Sequence, residues 1–229
     1  MNTRVLVVDD DLTVRDVVRR YLELAGHQVA LAGNGEDALA WIERHEPDLV
    51  VLDLMLPGID GLEVCRRLRR TSAVPVVMLT ALGEEENRIA GLQLGADDYV
   101  TKPFSPRELA LRVSSVLRRS GGAVTPPAAK ALADGDLRVD VAARTAVLRA
   151  EELSLTTREF DLLVFLLSNP GEAFTREQLL EKVWGWDFGD QSTVTVHVRR
   201  LREKIEVTPA KPMRISTVWG VGYRYDRSA

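Results

Sequence analysis

Acidic, hydroxyl and basic side chains follow four apolar segments of the sequence, at the point where each segment ends. Asp9 and Asp10 follow the first of these segments and Asp53 follows the second, while Thr80 and Lys102 follow two later ones. An aspartate carboxylate can attack a phosphoryl group and hold it as an acyl phosphate. These residue types therefore indicate a site that accepts a phosphoryl group on Asp53.

A divalent cation is expected at the same place, because several anions must be neutralised as a phosphoryl group approaches. Mg²⁺ suits a site with one or two carboxylates, and Asp10 and Asp53 are the expected direct ligands, with Asp9 nearby. Lys102 would offer an ammonium group to one phosphoryl oxygen, and Thr80 would offer a hydroxyl to another. A single acid at a strand end is ordinarily a loop or cap residue, so the hypothesis depends on all five side chains converging.

The five side chains converge only if the segments that carry them are parallel strands of one sheet. Apolar runs predict strands at residues 4–8, 28–32, 48–53, 75–80 and 98–101. Helical patterns alternate with them at residues 12–25, 35–45, 61–70, 85–94 and 106–119. Five such units predict an α/β doubly wound sheet of five parallel strands, whose carboxyl-terminal edge is where open α/β folds bind ligands.

The pattern changes after residue 119, and two domains are predicted, at residues 1–119 and 133–229. Residues 120–132 are rich in Gly, Pro and Ala and are typical of a flexible linker. The second domain is predicted to be α+β. Its strands are expected at residues 137–141, 145–149 and 153–155, its helices at 157–168, 176–184 and 191–206, and a final hairpin at 214–225.

The charge of the chain is unevenly distributed. The 229 residues carry a formal net charge of −4, but residues 192–229 hold eight basic and three acidic side chains, a net charge of +5. Cys65 is the only cysteine, which excludes an intrachain disulfide and favours a reducing compartment. The sequence has no signal-peptide pattern and no apolar run of membrane-spanning length, so a cytoplasmic protein without membrane contact is expected.

The predicted helix at residues 191–206 carries much of the C-terminal basic charge. One apolar face is expected in the core and consists of Val194, Val198, Leu201 and Ile205. Two polar faces remain, one with Thr195, Arg199 and Arg202 and the other with Thr193, Val196, His197, Arg200 and Lys204. Such a helix suits the major groove of double-stranded DNA, although an ordinary solvated amphipathic helix has the same pattern. His197 has no partners at metal-ligand spacing, so it is expected to be a packing or backbone-contact residue.

Four motifs of the first half occur together: Val-Val-Asp9-Asp10, Leu-Asp53-Leu-Met-Leu-Pro57-Gly58, Leu-Thr80-Ala81 and Asp-Tyr99-Val-Thr-Lys102-Pro103. This set resembles the signature of the response-regulator receiver domain of two-component signalling, which has a flavodoxin-like fold. The resemblance implies Asp53 as the phosphoacceptor and a cognate sensor histidine kinase as the donor. It also implies a Mg²⁺ site formed by Asp9, Asp10, Asp53 and the backbone carbonyl of Met55, and a switch pair formed by Thr80 and Tyr99.

The second half resembles the winged-helix DNA-binding domain of the OmpR/PhoB subfamily. The resemblance implies that helix 191–206 is the recognition helix on promoter DNA, with Arg200 reading a base and Arg199 and Arg202 contacting phosphates. The final hairpin would be the wing, and the loop Gly185–Asp190 would face RNA polymerase. Ser192 and Thr195 stand where relatives commonly have Arg and Asp, and Trp219 stands where many have the wing arginine that reads the minor groove. Arg224 is close by and is the expected DNA-binding cation of the wing.

The same resemblance implies a homodimer that forms on phosphorylation and brings two recognition helices to two half-sites of DNA. The matching dimer positions are Arg88, Asp98, Glu108 and Arg112. A further ion pair common in relatives is missing, because Gln93 and Ser114 stand at its positions.

Two other functions have to be distinguished from this interpretation. A metal-dependent phosphohydrolase could use Asp53 as its nucleophile, but in the best-known such family a second acid stands two residues after the nucleophile, where this chain has Met55. Turnover of small phosphoesters would revive that alternative, and the chain is otherwise expected not to be an enzyme. An interaction module with an acidic rim would not gain phosphate on incubation with Mg²⁺ and acetyl phosphate.

Overall fold

The computed structural model describes residues 3–81, 85–120, 131–186 and 190–228, with the backbone alone for residues 85–89 and 118–120. The chain divides into two compact units, Met1–Gly121 and Gly122–Ala229. Most of the predicted linker, at residues 121–130, lies outside the described residues.

The first unit is a parallel five-stranded sheet with helices on both faces. Its strands are β1 (Arg4–Val8), β2 (Gln28–Ala32), β3 (Leu49–Asp53), β4 (Val76–Ala81) and β5 (Asp98–Lys102). Its helices are α1 (Leu12–Leu24), α2 (Gly35–His45), α3 (Gly61–Thr71), α4 (Glu85–Leu94) and α5 (Pro106–Ser120). The strand order β2-β1-β3-β4-β5 confirms the predicted doubly wound fold, and each element begins and ends within one residue of its prediction.

Local sequence explains these element boundaries. Strands β1 and β3 are buried on both faces, because helices cover the sheet on each side, and this is why their sequences are unbroken apolar runs. The N-cap residues of helices α1, α2 and α3 are Asp11, Asn34 and Asp60, whose side chains accept hydrogen bonds from backbone N–H groups of the first turn. The sequence therefore sets both the burial of the strands and the positions where the loops end.

The second unit contains two antiparallel sheets and three helical segments. The first sheet consists of β6 (Leu132–Asp134), β7 (Leu137–Asp140), β8 (Thr145–Leu148) and β9 (Glu151–Glu152), paired in that order. The helical segments are α6 (Thr157–Ser168), α7 (Arg176–Leu179) with a π-helical continuation (Leu180–Trp184), and α8 (Ser192–Ile205). The second sheet has the order β10 (Ala173–Thr175), β12 (Gly222–Tyr225) and β11 (Ile215–Val218).

Several details of the second unit differ from the sequence predictions. The strand predicted at 153–155 is wrong, because the fourth strand is instead the two-residue β9, and β6 begins at the last residue of the predicted linker. Strand β10 was not predicted, because three residues are too few to show alternation. It pairs with β12, where a Cβ on Gly222 would lie 2.1 Å from the carbonyl oxygen of Phe174, so only glycine permits this close approach.

The second unit has its own apolar core, and its two chain ends are tied to each other. The core includes Phe160 of α6, Trp184 of the π-helical segment and Leu201 of α8. In β6, the Asp134 carboxylate accepts hydrogen bonds from the Tyr225 hydroxyl at 3.0 Å and from the Ser228 backbone N–H at 2.9 Å. No helix in the described part of either unit is long and apolar enough to cross a membrane.

Candidate functional site

The carboxyl-terminal edge of the first sheet brings three carboxylates together. Asp9 and Asp10 follow β1, and Asp53 is the last residue of β3. Carboxylate oxygens of these three residues lie within 4.8 Å of one another. Asp9 and Asp53 are buried whereas Asp10 is exposed, so the cluster has one side open to solvent.

Backbone contacts hold two of these aspartates in place. The Asp11 backbone N–H donates to Asp9 Oδ1 at 2.9 Å, and Arg15 Nη1 donates to the Asp9 carbonyl oxygen at 2.5 Å. Helix α3 begins directly against Asp53, because a Cβ on Gly61 would lie 2.1 Å from the Asp53 carbonyl oxygen. Arg15 was not predicted from the sequence, because its spacing from Asp9 matches no recognisable motif.

Lys102 bridges the two buried carboxylates. Its Nζ donates to Asp9 Oδ2 and to Asp53 Oδ2, both at 2.8 Å. Burial raises the pKa of Asp53 above its ordinary value, and the Asp9 carboxylate adds to that rise, while Lys102 opposes it. Burial alone would lower the pKa of Lys102, but its bonds with Asp53 and Asp9 raise it, so the lysine is a permanent cation.

Thr80 and Tyr99 lie on adjacent strands beside this cluster. Thr80 pairs in register with Thr101, and Tyr99 precedes Thr101 by two residues, so the side chains of Thr80 and Tyr99 lie on the same face of the sheet. Both residues are buried. Among the described residues, none forms a hydrogen bond with Thr80 Oγ1, which is unusual for a buried hydroxyl. This oxygen is therefore suited to an incoming polar group.

Met55 follows Asp53 by two residues, in the loop that leads to α3, and its side chain is 61% exposed. Leu82, which follows Thr80 by two residues, lies outside the described residues, and so does the side chain of the predicted dimer residue Arg88.

The second group of predicted site residues lies on α8. Its core face is buried as predicted, and Thr195 and Arg199 are exposed on the opposite side. The second polar face is mostly buried: Thr193, Val196 and Arg200 are buried, which was not predicted. His197 is buried as well, in agreement with the expectation that it is a packing or backbone-contact residue.

Contacts with α6 and with the π-helical turn explain this burial for two of the residues. The His197 ring packs edge-on against Trp184, with ring centroids 5.1 Å apart, and its Nδ1 donates to the Thr193 carbonyl oxygen at 2.8 Å. Arg200 Nη2 lies 2.8 Å from Oε1 of Glu159, a fully buried carboxylate on α6. Trp184 and Glu159 lie outside α8, so the sequence pattern of this helix could not predict the burial of His197 and Arg200.

A cationic cluster is present at the junction of α7, α8 and the last hairpin. Guanidinium groups of Arg176 and Arg202 lie 5.1 and 5.5 Å from the ring centroid of Tyr223. Arg176 Nε also donates to Thr195 Oγ1 on α8 at 3.2 Å. Arg202 donates to the Ile215 carbonyl oxygen at 2.9 Å, so it links α8 to β11. Arg176 was missed in the sequence, because it stands outside α8 and meets it only in the folded unit.

Comparison with known proteins agrees with both halves of this geometry. The family model described as the response regulator receiver domain matches residues 5–114, and the one described as transcriptional regulatory protein, C terminal, matches residues 150–225. The chain is 45% identical over 233 residues to the transcriptional regulatory protein ResD of Bacillus subtilis (strain 168), covering 99% of this chain and 97% of that protein. The chain belongs to the OmpR/PhoB family of response regulators.

Two further similarities support the same family. The DNA-binding response regulator MtrA of Mycolicibacterium smegmatis is 47% identical over 225 residues, covering 98% of this chain and 97% of that protein. The crystal structure of DrrB, described as a Thermotoga maritima OmpR/PhoB homologue, is 38% identical, with a TM-score of 0.53 over 99% of this chain and 100% of that one. The response regulator is therefore a phosphorylation-dependent two-component transcriptional regulator, with a receiver and a DNA-binding domain.

The wing of the response regulator is the hairpin β11–β12. Its tip carries Trp219, whose side chain is 91% exposed. Arg224, the candidate DNA-binding cation of the wing, is paired with Asp226, with Arg224 Nε donating to Asp226 Oδ1 at 2.6 Å. Arg202 also donates to Thr217 Oγ1 at 2.9 Å, so the wing and α8 are held together within this domain.

In the receiver, three of the four predicted dimer residues form an ion-pair cluster within the chain. Arg112 of α5 lies 3.1 Å from Asp98 Oδ2 and 2.9 Å from Glu108 Oε1. Asp98 and Arg112 are buried, and burial opposes but does not cancel the rise in the Arg112 pKa caused by Asp98 and Glu108.

Proposed function

We propose that Asp53 accepts the phosphoryl group from a cognate sensor histidine kinase. The observation that carries this proposal is the position of Asp53 in a cluster with Asp9, Asp10 and Lys102 at the edge of the receiver sheet. The Asp53 carboxylate forms the new bond to phosphorus, and the histidine of the kinase is the leaving group. In this proposal the chain is a phosphoryl acceptor; a phosphohydrolase would in addition turn over small phosphoesters.

Receiver domains bind Mg²⁺ at their acidic pocket, and the residues present here fit that ion. Three carboxylates with oxygens within 4.8 Å of one another match the preference of Mg²⁺ for oxygen ligands, and one side of the cluster is exposed for retained waters. Asp9, Asp10 and Asp53 would hold the ion together with the backbone carbonyl of Met55. When bound, Mg²⁺ neutralises charge between the carboxylates and the phosphoryl oxygens.

Three other side chains of the receiver act on the phosphorylated aspartate. Lys102 already contacts Asp53 Oδ2, so its ammonium group would lie close to a phosphoryl group bound to this carboxylate. The Thr80 hydroxyl, which has no hydrogen-bond partner in the described part of the chain, would donate to a phosphoryl oxygen. Tyr99 lies on the neighbouring strand β5, on the same face of the sheet as Thr80. A shift of the Thr80 side chain would therefore be passed on to Tyr99, the second residue of the switch pair.

Phosphate incorporation tests this proposal. The protein is incubated with Mg²⁺ and acetyl phosphate, and intact mass is measured for the wild type, Asp53→Asn and Asp48→Asn. Asp48 is a matched control, because it is an exposed aspartate at the opposite end of the strand that carries Asp53. We expect Asp53→Asn to gain no phosphoryl group, since an amide is not a nucleophile, and Asp48→Asn to gain one. Full labelling of Asp53→Asn would overturn the assignment.

Lys102 provides a second test within the same site. The Lys102→Ala variant should impair signalling more than Mg²⁺ binding, because its charge is directed at the phosphoryl group. A Mg²⁺ titration and a phosphorylation-dependent DNA-binding assay on the same variant separate the two effects.

We also infer that α8 reads promoter DNA in the major groove and that the β11–β12 hairpin acts as its wing. Arg200 is the proposed base reader, and Arg199, Arg202 and Arg176 are proposed phosphate contacts. The exposed Thr195 of α8 and Arg224 of the wing are further proposed DNA contacts. The exposed Arg199 and the cations around Tyr223 support a phosphate-binding surface. The loop Gly185–Asp190 is the proposed contact for RNA polymerase.

Binding to specific and random duplexes distinguishes these roles. Arg200→Ala should lose about 1–3 kcal/mol of discrimination between the two duplexes. Arg199→Ala should weaken binding to both and reduce the slope of log affinity against log salt by about 0.9. The reverse pattern would show that the two faces of α8 have been exchanged.

Phosphorylation is proposed to reach DNA through a receiver homodimer. Arg88, Asp98, Glu108 and Arg112 are the proposed interface residues, and an isologous interface would use each of their contacts twice. Exposed ion pairs contribute only about 0–1 kcal/mol each. Because Asp98 and Arg112 are already buried and paired within their own receiver, pairs across the interface should set the register of the dimer more than its affinity. Sedimentation should show a monomer becoming a dimer on phosphorylation, with Arg88→Glu impairing it and Glu108→Arg partly restoring it. A phosphorylated monomer with full DNA affinity would refute this link.

A further inference from the structure

Glu159 of α6 holds two cations of the recognition helix at once. Its carboxylate is fully buried, with Arg200 Nη2 2.8 Å from Oε1 and Lys204 Nζ 2.6 Å from Oε2. One negative charge is thus shared between two positive charges that lie one helical turn apart on α8. This arrangement has one more cation than a neutral buried pair requires.

The two cations are held differently. Lys204 Nζ donates a hydrogen bond to Oε2 and another to the Ser154 carbonyl oxygen, both at 2.6 Å. Oε2 also accepts from the Thr156 backbone N–H at 2.8 Å. The contact of Arg200 with Oε1 is an ion pair without hydrogen-bond geometry, and Oε1 accepts no hydrogen bond from the residues that the structure describes. Of the two cations, Lys204 is therefore the one that Glu159 holds by a hydrogen bond.

Arg200 has to move if it is to read a base. Its side chain is only 10% exposed while it is paired with Glu159. A bidentate contact with a guanine edge needs two nitrogens of the guanidinium group in the groove. If Glu159 had no other partner, that movement would strand a buried carboxylate, which is strongly unfavourable. Although burial acts to raise the pKa of Glu159, Arg200 and Lys204 together lower it, so the group is an anion that needs a cation.

We propose that Lys204 keeps Glu159 neutralised while Arg200 leaves it for the DNA, so that Lys204 is a positioning residue for sequence specificity. This inference rests on the proposed role of Arg200 as base reader. Lys204 acts without touching the DNA in this step, because the Ser154 carbonyl oxygen holds its ammonium group at Glu159. The side chain of Lys204 thus sets how easily Arg200 becomes available.

The test compares specific and non-specific binding by the full-length protein. The specific probe is a duplex selected by the wild-type protein from a random library, and the non-specific probe is its scrambled counterpart, both at one salt concentration. Lys204→Met should reduce the ratio of the two affinities by roughly 10- to 100-fold, because Arg200 then has to stay with Glu159. Lys211→Met removes an exposed lysine of the same domain and should leave the ratio within about 3-fold of wild type.

A second substitution should restore the lost specificity. Glu159→Gln and Glu159→Met, each added to Lys204→Met, remove the buried charge that retains Arg200, and near-ultraviolet circular dichroism shows which double variant is folded. The folded double variant should recover the affinity ratio to within about 3-fold of wild type. A purely structural role of Lys204 predicts a further loss instead of this rescue.

The outcomes separate the inference from the function on which it rests. An unchanged ratio in Lys204→Met, or no rescue in a folded double variant, overturns the role of Lys204. A fall in the ratio for Glu159→Gln alone with none for Lys204→Met also overturns it, because Glu159 would then support Arg200 in its reading position. An unchanged ratio in Arg200→Ala refutes base reading by Arg200, and with it the proposed function of this residue.

Discussion

Replacing His197 with phenylalanine should remove a pH dependence from the stability of the DNA-binding domain. The histidine is fully buried against Trp184, and its Nδ1–H is used by the Thr193 carbonyl oxygen. Within the described part of the domain, Nε2 has no hydrogen-bond partner, so a proton there would be a buried charge without compensation. Burial lowers the pKa of His197 from 6.5 to about 4.

The size of the effect follows from the difference between the folded and unfolded pKa values. The unfolded chain takes up the proton near pH 6.5, whereas the folded domain takes it up only near pH 4. The contribution of neutral His197 to the free energy of unfolding is therefore fully present above about pH 6.5, and it is lost as the pH falls from 6.5 towards 4. A difference of about 2.5 pKa units corresponds to about 3 kcal/mol of unfolding free energy.

Urea unfolding measured from pH 7.5 to pH 4 tests this value. A Trp41→Phe background limits tryptophan fluorescence to the second unit, since the other three tryptophans are at residues 184, 186 and 219. His197 is the only histidine of that unit, because the other two are His27 and His45. His197→Phe retains an aromatic ring beside Trp184, and carboxyl titrations affect both proteins alike. The difference between their unfolding free energies should shift by about 3 kcal/mol between pH 7 and pH 4.

The exposed His45 provides the control, and His45→Phe should give a curve parallel to that of the parent protein. Parallel curves for the parent and His197→Phe, within about 0.5 kcal/mol, would refute the argument. They would mean that the folded domain binds the proton at His197 as readily as the unfolded chain does.

Three further predictions concern other parts of the chain. Met55 and Leu82 stand two residues after Asp53 and Thr80, and their apolar side chains offer no group that could orient a hydrolytic water. Met55→Lys and Leu82→Asn should therefore each shorten the lifetime of the acyl phosphate in a decay assay, and unchanged decay rates would contradict this. Gly222→Ala should lower the unfolding free energy by about 1–3 kcal/mol, because its Cβ would meet a carbonyl oxygen 2.1 Å away in β10, and urea unfolding measures this. Tyr225→Phe should cost about 1.5–3 kcal/mol in the same assay, since it removes the hydrogen bond to Asp134.

The receiver could be predicted closely because its information is local. Unbroken apolar runs define the buried strands, and cap residues such as Asn34 and Asp60 mark where helices begin. Parallel strands place their carboxyl ends on one edge, so Asp53 and Lys102 could be brought together from strand order alone. Arg15 escaped detection, because its contact with a backbone carbonyl oxygen leaves no side-chain pattern.

The DNA-binding domain was predicted less completely because its decisive contacts join separate elements. The period of α8 identified the core face but could not show that Glu159 and Trp184 would cover His197 and Arg200. Arg176 stands on another helix and approaches α8 only through tertiary packing. Short strands such as β6, β9 and β10 are set by pairing partners and not by their own two or three residues.

The bond between β6 and the end of the chain has a consequence for how such regulators can be recombined. Asp134, two residues after β6 begins, binds both Tyr225 in β12 and Ser228 beyond it. The first strand of the described DNA-binding domain and the segment after its last strand are thus tied together at one point. A domain with its two ends joined in this way can be exchanged between proteins as a cassette, with different sensory inputs attached upstream.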